Sequence, residues 1–313
     1  MRTGRLRGRL GGAFLVALVV LAGLGGVAGA HTRGCGDVIT ANEQLHNDIG
    51  PCPGDGLVVR GSNITVDLNG HTISGQGGLV VQHQAAGVRI LGQSNVTVTN
   101  GTIRDFYHGV RVTQGSGNRV TAIQAVRNQG GNGIVLENSS DNVVAENVVV
   151  SNGRFAGIST FNSVSLPPGA ARNIIRDNLV HTNAFMGAHG VSLEHGGGHV
   201  VAGNKIVSSG RDGISLFGPV SDAAVTGNTV QSNARHGINV QNGSVGNLVQ
   251  GNSVTRNGQM GILVAGPGNR IVGNLARNNR GTDLRDASAG DTCGTNTWSG
   301  NRFGTALPAC TGA

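Results

Sequence analysis

The sequence predicts an all-β chain whose short strands wind into a coil of stacked parallel rungs. Two observations support this: a repeat of about 24 residues runs through most of the chain, and aliphatic residues alternate with polar ones inside each repeat. The composition agrees, because the 313 residues include 55 glycines and only 3% aromatic and 12% charged residues. Strong helix formers are scarce, which argues against a helical bundle or a coiled coil.

The clearest marker of the repeat is a glycine followed by an aliphatic residue, at steps of 24, 24, 33, 23, 24 and 24 residues. The glycines are Gly109, Gly133, Gly157, Gly190, Gly213, Gly237 and Gly261. Asparagines recur in two further registers, with Ser209 filling one gap. The first of these registers is Asn147, Asn178, Asn204, Asn228, Asn252 and Asn274, and the second is Asn128, Asn152, Asn183, Asn233 and Asn257.

Each repeat contains short alternating segments in which the aliphatic residues face one way, as in Ile134/Leu136 and Ile238/Val240. A period of two between turn residues indicates strands, and repeats without a helix indicate parallel strands stacked at roughly 4.8 Å per coil. Asparagine suits the turns of such a coil. It tolerates left-handed backbone, and its amide can bond to the same asparagine one coil away.

This pattern resembles the right-handed parallel β-helix repeat family, which includes pectate lyases, alginate epimerases, polygalacturonases and phage tailspikes. The resemblance implies a single-domain right-handed parallel β-helix of about ten coils over residues 56–286. The motif is specific for the fold and does not imply an activity. The alternative fold, a leucine-rich repeat horseshoe, requires a leucine signature that this sequence does not maintain.

Residues 1–30 have the organisation of a secretory signal peptide. A start rich in arginine precedes an apolar run from Ala13 to Leu24, and Ala28–Ala30 is a small-residue cleavage signal. We therefore expect a secreted, extracellular or periplasmic protein that begins at His31 and has no membrane span after cleavage.

Four cysteines fit an oxidising compartment. Cys35 and Cys52 are separated by 17 positions, as are Cys293 and Cys310, and neither pair has the spacing of a zinc or redox site. We expect two local disulfides, Cys35–Cys52 and Cys293–Cys310, each contributing roughly 3 kcal/mol. The end caps that these bridges would staple are residues 31–55 and 287–313.

The formal net charge of +7 at first suggests a nucleic-acid partner. Four of the 23 basic residues lie in the signal peptide, which has no acidic residue, so 19 bases face 16 acids in the remaining chain. The arginines are not interleaved with aromatic residues, as a single-strand binding surface would require. We therefore expect no nucleic-acid partner.

Stacking turns equivalent positions of successive coils into one line, and one such line is rich in titratable residues. The residue before the repeat glycine is His189, Asp212 and His236 in three consecutive coils, and we predict that these three are catalytic. The residues predicted to bind the substrate beside them are Glu194, Arg211 and Arg235.

These residue types suit a polymer of uronic acids. The arginines would pair with uronate carboxylates, and His189 or His236, oriented by Asp212, would remove the proton α to the carboxylate. That chemistry belongs to a polyuronate lyase or a C5-epimerase. Two lengthened segments, 162–171 and 183–188, are expected to wall a groove over this line.

Other sites are weaker. Tyr107 and His108 lie in a stretch that resembles, without its Asp-Pro, the Tyr-Gly…Asp-Pro-His stretch of alginate epimerases. The run from His195 to His199 encloses three glycines and is interpreted as a turn. The acidic cluster with which pectate lyases bind calcium and the adjacent aspartates of polygalacturonases are both absent from the sequence, and we expect no metal and no cofactor.

Three functions therefore remain open. The first is a polysaccharide-active enzyme, and the second is a non-catalytic extracellular scaffold or carbohydrate-binding protein. The third is a copper-processing protein, by analogy with a periplasmic β-helix protein of nitrous-oxide-reductase maturation, with His31 as a chelating N-terminus. We expect an extracellular polysaccharide as the partner and a monomeric chain.

Overall fold

The computed structural model describes residues 31–77, 84–162, 170–183, 187–290 and 292–312. The predicted signal peptide lies outside the described residues, as do the central parts of both lengthened segments (163–169 and 184–186). Residues 32–313 form one compact unit, and residues 1–31 form another, of which only His31 is described. In the described part of the chain, no helix is long and apolar enough to cross a membrane.

The compact unit is a right-handed parallel β-solenoid of about eleven turns, as the repeat predicts. Each regular turn gives one strand to each of three faces. The strands of the first face are β1 (Asp37–Ile39), β4 (Leu57–Val59), β7 (Ala86–Leu91), β9 (His108–Thr113), β11 (Ile134–Glu137), β14 (Ala156–Phe161), β17 (His189–Gly197), β20 (Ile214–Ser221), β23 (Ile238–Val240), β26 (Ile262–Val264), β29 (Leu284–Asp286) and β32 (Ala306–Leu307).

The other two faces share β8 (Thr97–Arg104) and β10 (Arg119–Val126), which run through the turn between them. The remaining strands of the second face are β2 (Glu43–Gln44), β5 (Thr65–Asp67), β12 (Val143–Ala145), β15 (Ile174–Arg176), β18 (Val200–Ala202), β21 (Ala224–Thr226), β24 (Leu248–Gln250), β27 (Arg270–Val272) and β30 (Thr297–Ser299). Those of the third face are β3 (Ile49–Cys52), β6 (Thr72–Gly75), β13 (Val148–Val150), β16 (Leu179–His181), β19 (Lys205–Val207), β22 (Thr229–Gln231), β25 (Ser253–Thr255), β28 (Leu275–Arg277) and β31 (Arg302–Phe303). A 3-10 helix, Ala309–Gly312, ends the described chain.

The register keeps equivalent residues of successive coils in line, as in the pairing of Ile134 with Val110 and Ile158. Each face therefore sends columns of aliphatic side chains into a shared core that runs through the solenoid. One column of fully buried residues on the first face is Val110, Ile134, Ile158, Val191, Ile214, Ile238 and Ile262.

Asparagine ladders line the three turns of the coil; the two asparagine registers predict two of them, and the third, before the second face, was not predicted. In one ladder Asn228 donates from Nδ2 to Oδ1 of Asn252 at 3.0 Å and to the carbonyl of Val201 at 2.8 Å. Its own Oδ1 accepts the backbone N–H of Asn204 at 2.9 Å. Each ladder residue thus satisfies buried backbone groups of the turn as well as its neighbour's amide.

The three ladders divide the coil at its corners. The ladder before the second face is interrupted once, by Ala223, and consists of Asn118, Asn142, Asn173 and His199 before that residue and Asn247, Asn269 and Asn296 after it. The ladder between the second and third faces is Asn147, Asn178, Asn204, Asn228, Asn252, Asn274 and Asn301. The ladder before the first face is Asn128, Asn152, Asn183, Ser209, Asn233, Asn257 and Asn279.

The left-handed backbone that we expected at the ladder asparagines lies one residue earlier, so that expectation was wrong. Glu146 and Asp177 precede ladder asparagines and have φ of 60° and 56°, and Gly203 and Gly227 in the next two coils have 65° and 63°. The left-handed residue turns the chain, and the following asparagine then points its amide into the corner. Glycine suits that preceding position because it has no Cβ.

Both predicted disulfides, Cys35–Cys52 and Cys293–Cys310, are formed. The first lies in the opening coil, where β1, β2 and β3 already pair with β4, β5 and β6, so strand pairing begins within residues 31–55. The second lies in the closing segment that includes the 3-10 helix. The bridges thus tie the coils at the two ends of the solenoid.

Removal of one ladder amide should destabilise the whole coil. We expect Asn228→Ala to lower the free energy of unfolding by about 3 kcal/mol, because it leaves the buried N–H of Asn204 and the carbonyl of Val201 without their partners. Urea unfolding monitored by circular dichroism measures this change. The matched control is Asn242→Ala, since Asn242 is exposed and its side chain bonds only the adjacent Gly243 within the described part of the chain. Equal stability of the two variants would contradict the ladder's role.

His199 gives one ladder a pH dependence. It occupies an asparagine position, its Nδ1 accepts the N–H of Asn173 at 3.3 Å, and burial lowers its pKa to about 4. The unfolded chain binds this proton near pH 6.5, so the contribution of His199 is complete above that pH and is lost as pH falls toward 4. We expect His199→Asn to reduce the loss of stability between pH 7 and pH 4.5 by about 2 kcal/mol.

Urea unfolding at the two pH values measures the effect of His199. The control is His46→Asn, since His46 is exposed. An identical pH dependence of the wild type and His199→Asn would show that His199 takes up its proton equally in both states.

Candidate functional site

The predicted catalytic residues stack in one column at the start of the first-face strands. The N–H of Gly190 donates to the carbonyl of Asp212 at 3.0 Å, and that of Gly213 donates to the carbonyl of His236 at 2.9 Å. His189, Asp212 and His236 therefore occupy three consecutive coils, as the spacing predicts. Their residues are 8%, 0% and 4% exposed, so the column is buried and is not a solvated surface row.

Asp212 is the centre of this column. Its Oδ1 accepts the backbone N–H of His236 at 3.2 Å, and its Oδ2 accepts the side-chain amide of Asn239 at 2.9 Å. The same Oδ2 lies 3.6 Å from Nδ1 of His189, and Oδ1 lies 3.9 Å from Nε of Arg235. Donors and positive charge thus surround a fully buried carboxylate and fix its orientation.

The two histidines of the column differ in which ring nitrogen is free. Nδ1 of His236 accepts the backbone N–H of Met260 at 3.3 Å, so the proton of the neutral ring lies on Nε2. Nδ1 of His189 has no hydrogen-bond partner among the described residues, but it lies 3.6 Å from Oδ2 of Asp212, and that carboxylate favours a proton on Nδ1. A proton on that nitrogen leaves the lone pair on Nε2 of His189. The geometry therefore makes His189 an acceptor and His236 a donor.

Burial keeps both rings neutral at pH 7. It lowers the pKa of His189 to about 4, against the opposing effect of the Asp212 carboxylate. Burial likewise lowers the pKa of His236, again with Asp212 opposing the shift. A neutral histidine beside a fixed carboxylate is the protonation state that a general base requires.

The two predicted substrate-binding arginines lie next to this column. The N–H of Arg235 donates to the carbonyl of Arg211 at 3.0 Å, which places the two residues on adjacent coils. Arg211 is exposed, and its guanidinium has no partner among the described residues. The side chain of Arg235 is 37% exposed, and among the described residues it lies at salt-bridge distance only from Asp212. Both guanidiniums are therefore accessible to an anion.

Glu194, the third predicted binding residue, lies apart from the arginines. It is five positions beyond His189 on β17, roughly 16 Å along an extended strand. It lines a cavity of about 290 Å³ on the first face, together with Tyr107 and His108, our weaker second site. The structure thus divides the predicted residues between a buried column and a separate cavity.

Sequence analysis missed most residues of this cavity. Its remaining lining residues are Gln84, Arg111, Asn132, Val135, Glu137, Phe155, Ser159 and Phe161. One signal was present in the repeat, because Arg111 and Glu137 occupy outward positions of adjacent first-face strands. The aromatic residues come from two positions of the repeat: Tyr107 and Phe155 each lie two residues before a repeat glycine, and Phe161 lies four residues after one, so the cavity combines two columns of the alignment.

The polar groups of the cavity are largely paired with one another. Arg111 donates from Nη2 to Glu137 Oε2 at 2.6 Å and from Nη1 to Gln84 Oε1 at 2.9 Å. Burial lowers the pKa of His108 to about 3, and its Nδ1 accepts the N–H of Asn132 at 3.2 Å. Burial raises the pKa of Glu194, whose carboxylate accepts a hydrogen bond from Ser192 Oγ at 3.3 Å.

The remaining sequence signals do not assemble a further site. Among the described residues, no group of three or more His, Cys, Asp or Glu side chains is close enough to hold a metal ion. We expected a turn from His195 to His199, but His195, Gly196 and Gly197 are the last residues of β17. The strand register shifts after Glu194, and the chain leaves the strand only at Gly198.

Several solved structures resemble the whole solenoid. A point mutant of the periplasmic alginate epimerase AlgG is 17% identical, with a TM-score of 0.64 over 86% of this chain and 76% of that chain. The Dettilon tailspike protein is 16% identical, with a TM-score of 0.60 over 87% and 55%. The A-module of the Azotobacter vinelandii mannuronan C-5 epimerase AlgE4 is 14% identical, with a TM-score of 0.52 over 88% and 86%. At these identities the likeness shows the fold.

The sequence also matches a family model. No curated protein sequence matches this chain. The model described as the right-handed β-helix region matches residues 28–188 and again residues 154–280, which together cover most of the chain. The stacked parallel strands, the asparagine ladders and this match lead to one conclusion: the chain belongs to the right-handed β-helix family.

Proposed function

We propose that this protein binds an acidic polysaccharide along its first face and removes the C5 proton of a uronate with His189, as a polyuronate lyase or C5-epimerase. The observation that carries the proposal is the Asp212 carboxylate, fully buried and 3.6 Å from Nδ1 of His189. Such a carboxylate selects the tautomer whose Nε2 accepts a proton. The likeness of the fold to an alginate epimerase and a mannuronan C-5 epimerase supports the substrate class.

The arginines and the histidine column have different roles in the proposed reaction. Arg211 and Arg235 pair with the uronate carboxylate, which makes the neighbouring C5–H more acidic. Nε2 of His189 takes that proton, the electron pair of the C–H bond moves into the carboxylate, and Asp212 stabilises the imidazolium that forms. Nε2–H of His236 donates a hydrogen bond to the substrate.

The intermediate can then react in two ways. If the C4–O bond breaks and the leaving oxygen is protonated, the product has a C4–C5 double bond, as in a lyase. If a proton returns to C5 from the opposite side, the product is the C5 epimer. Both outcomes begin with the same proton transfer to His189.

The compartment follows from the same proposal. Two disulfides within a chain of this length are typical of proteins that fold in an oxidising environment. We propose that residues 1–30 direct export and that the protein acts in the periplasm or outside the cell, where polysaccharides are found.

A second candidate function is carbohydrate binding without turnover. The observation that favours it is the cavity beside Tyr107, whose lining includes none of His189, Asp212 and His236. Binding of a polyuronate without any product or C5 exchange would support this candidate over the enzyme.

Replacement of the proposed base should abolish turnover and leave the fold intact. We expect His189→Gln to lower kcat by 10²- to 10⁴-fold, the usual contribution of a general base. The assay follows the absorbance of unsaturated products and hydrogen exchange at C5 by NMR, with alginate and pectate as substrates. The matched control is His181→Gln, because His181 lies exposed on the third face. Unchanged turnover in His189→Gln would exclude His189 as the base.

The pH profile should report the buried position of that base. Because His189 must be neutral, and burial lowers its pKa to about 4, kcat/KM should persist at pH 5.5 and fall as the pH drops through about 4. A base with the ordinary pKa near 6.5 would already lose about tenfold at pH 5.5. The measurement is kcat/KM between pH 3.5 and 8, and a midpoint near 6.5 would contradict the assignment.

A further inference from the structure

The cavity on the first face has the size of a small-ligand site. It encloses about 290 Å³, which is at the lower end of the range for ligand pockets and matches one sugar ring better than a long chain. It lies over the strands β9, β11 and β14 and extends to Glu194 on β17, the strand that begins with His189. No step proposed for His189 uses its lining residues.

Aromatic side chains provide the apolar part of this cavity. Tyr107, Phe155 and Phe161 line it, and Phe155 is 47% exposed. Phe161 is 37% exposed, so two accessible rings share this cavity, which a single scattered surface residue would not provide. A flat ring presents an apolar face that can stack against the C–H face of a sugar.

The charges in the cavity argue against an anionic ring. Glu137 and Glu194 both line it, whereas the one arginine among its lining residues, Arg111, is already paired with Glu137 and bonded to Gln84. His108 is neutral, so it does not offset the second carboxyl group. Sugar hydroxyls can donate hydrogen bonds to these carboxylates, but a uronate carboxylate would meet them without a free cation.

The surroundings of His189 favour an anionic ring, in contrast to the cavity. Arg211 and Arg235 are accessible there, and their guanidiniums suit carboxylates. His108, at the cavity, and His189 stand three coils apart on one line, a separation of roughly 14 Å at the parallel-strand spacing. One oligosaccharide can span both places.

We propose that this cavity is a binding subsite for a neutral sugar ring, and that the protein recognises a mixed polysaccharide in which neutral sugars accompany uronates. The neutral preference follows from the cavity's two carboxyl groups, its paired arginine and its aromatic walls. The mixed polymer rests in addition on the function proposed for His189.

Tyr107 provides a direct probe because it is the only tyrosine in the sequence. Protein labelled with ring-¹³C tyrosine gives one set of tyrosine NMR signals, and these report on the cavity. We expect neutral tetrasaccharides of glucose, mannose or galactose to shift these signals in a saturable way. Uronate tetrasaccharides at the same concentration should leave them unchanged.

Two variants test the chemistry of the subsite. Phe155→Ala should weaken binding of the neutral tetrasaccharide about fivefold to tenfold, by loss of the stacking face. The matched control is Phe217→Ala, since Phe217 is also 47% exposed but does not line the cavity. Glu194→Gln keeps the size of the side chain and removes its charge, so it should raise uronate affinity about tenfold and change neutral binding by less than threefold.

Three results would overturn the subsite: no neutral tetrasaccharide shifts Tyr107, the uronate shifts it more strongly, or Phe155→Ala behaves as Phe217→Ala does. The subsite and the proposed enzyme can fail separately. His189→Gln should retain the Tyr107 response, so a chain that binds neutral sugars without polyuronate turnover would refute the enzyme and keep the subsite. Polyuronate turnover without any Tyr107 response to neutral sugars would refute the subsite and keep the proposed enzyme.

Discussion

The structure depends on how a coil with almost no helix satisfies the backbone groups of its buried corners. Each turn brings N–H and C=O groups into an interior without water, where an unpaired group costs about 1–3 kcal/mol. The asparagine amide solves this because it offers both donors and an acceptor. Asn178, for example, accepts the N–H of Asn147 at 3.0 Å and donates to the carbonyl of Val144 at 3.0 Å and to Asn204 at 2.9 Å. The repeat length and the in-register strands follow from the need to stack these amides.

The candidate site lies at the start of the first-face strands, where titratable side chains instead of ladder asparagines accept the buried backbone N–H groups. Nδ1 of His108, Oδ1 of Asn132, Oδ1 of Asp212 and Nδ1 of His236 each accept a backbone N–H from the following coil. These four side chains are buried, and the hydrogen bond fixes the position of one atom in each. The other carboxylate oxygen of Asp212, Oδ2, lies 3.6 Å from Nδ1 of His189. That nitrogen accepts no backbone N–H among the described residues. A ladder that holds the coil together thus also orients the proposed base.

The sequence was most informative where one residue type repeats at one position. The step of about 24 residues predicted the parallel coil, and the asparagine registers predicted ladders that the structure contains. The spacing of the cysteines predicted the two disulfides. These features are local or periodic, so a single sequence specifies them.

The sequence was less informative where the structure combines different positions. The cavity brings Tyr107 and Phe155, which share one position of the repeat, together with Glu194 from another position and a third coil, so reading column by column separated them. Burial of Asp212 was also not evident, because an outward strand position is ordinarily solvated. The tautomers of His189 and His236 depend on distances of a few tenths of an ångström, which only the structure supplies.

The most direct test of this account is the tautomeric state of the column histidines, measured by NMR on protein labelled with ¹⁵N-histidine at pH 7. The account predicts that His189 carries its proton on Nδ1 and His236 on Nε2, with His236→Gln and His189→Gln used to assign the signals. A proton on Nε2 of His189, or a doubly protonated ring at this pH, would contradict the claim that Asp212 prepares His189 to accept a proton.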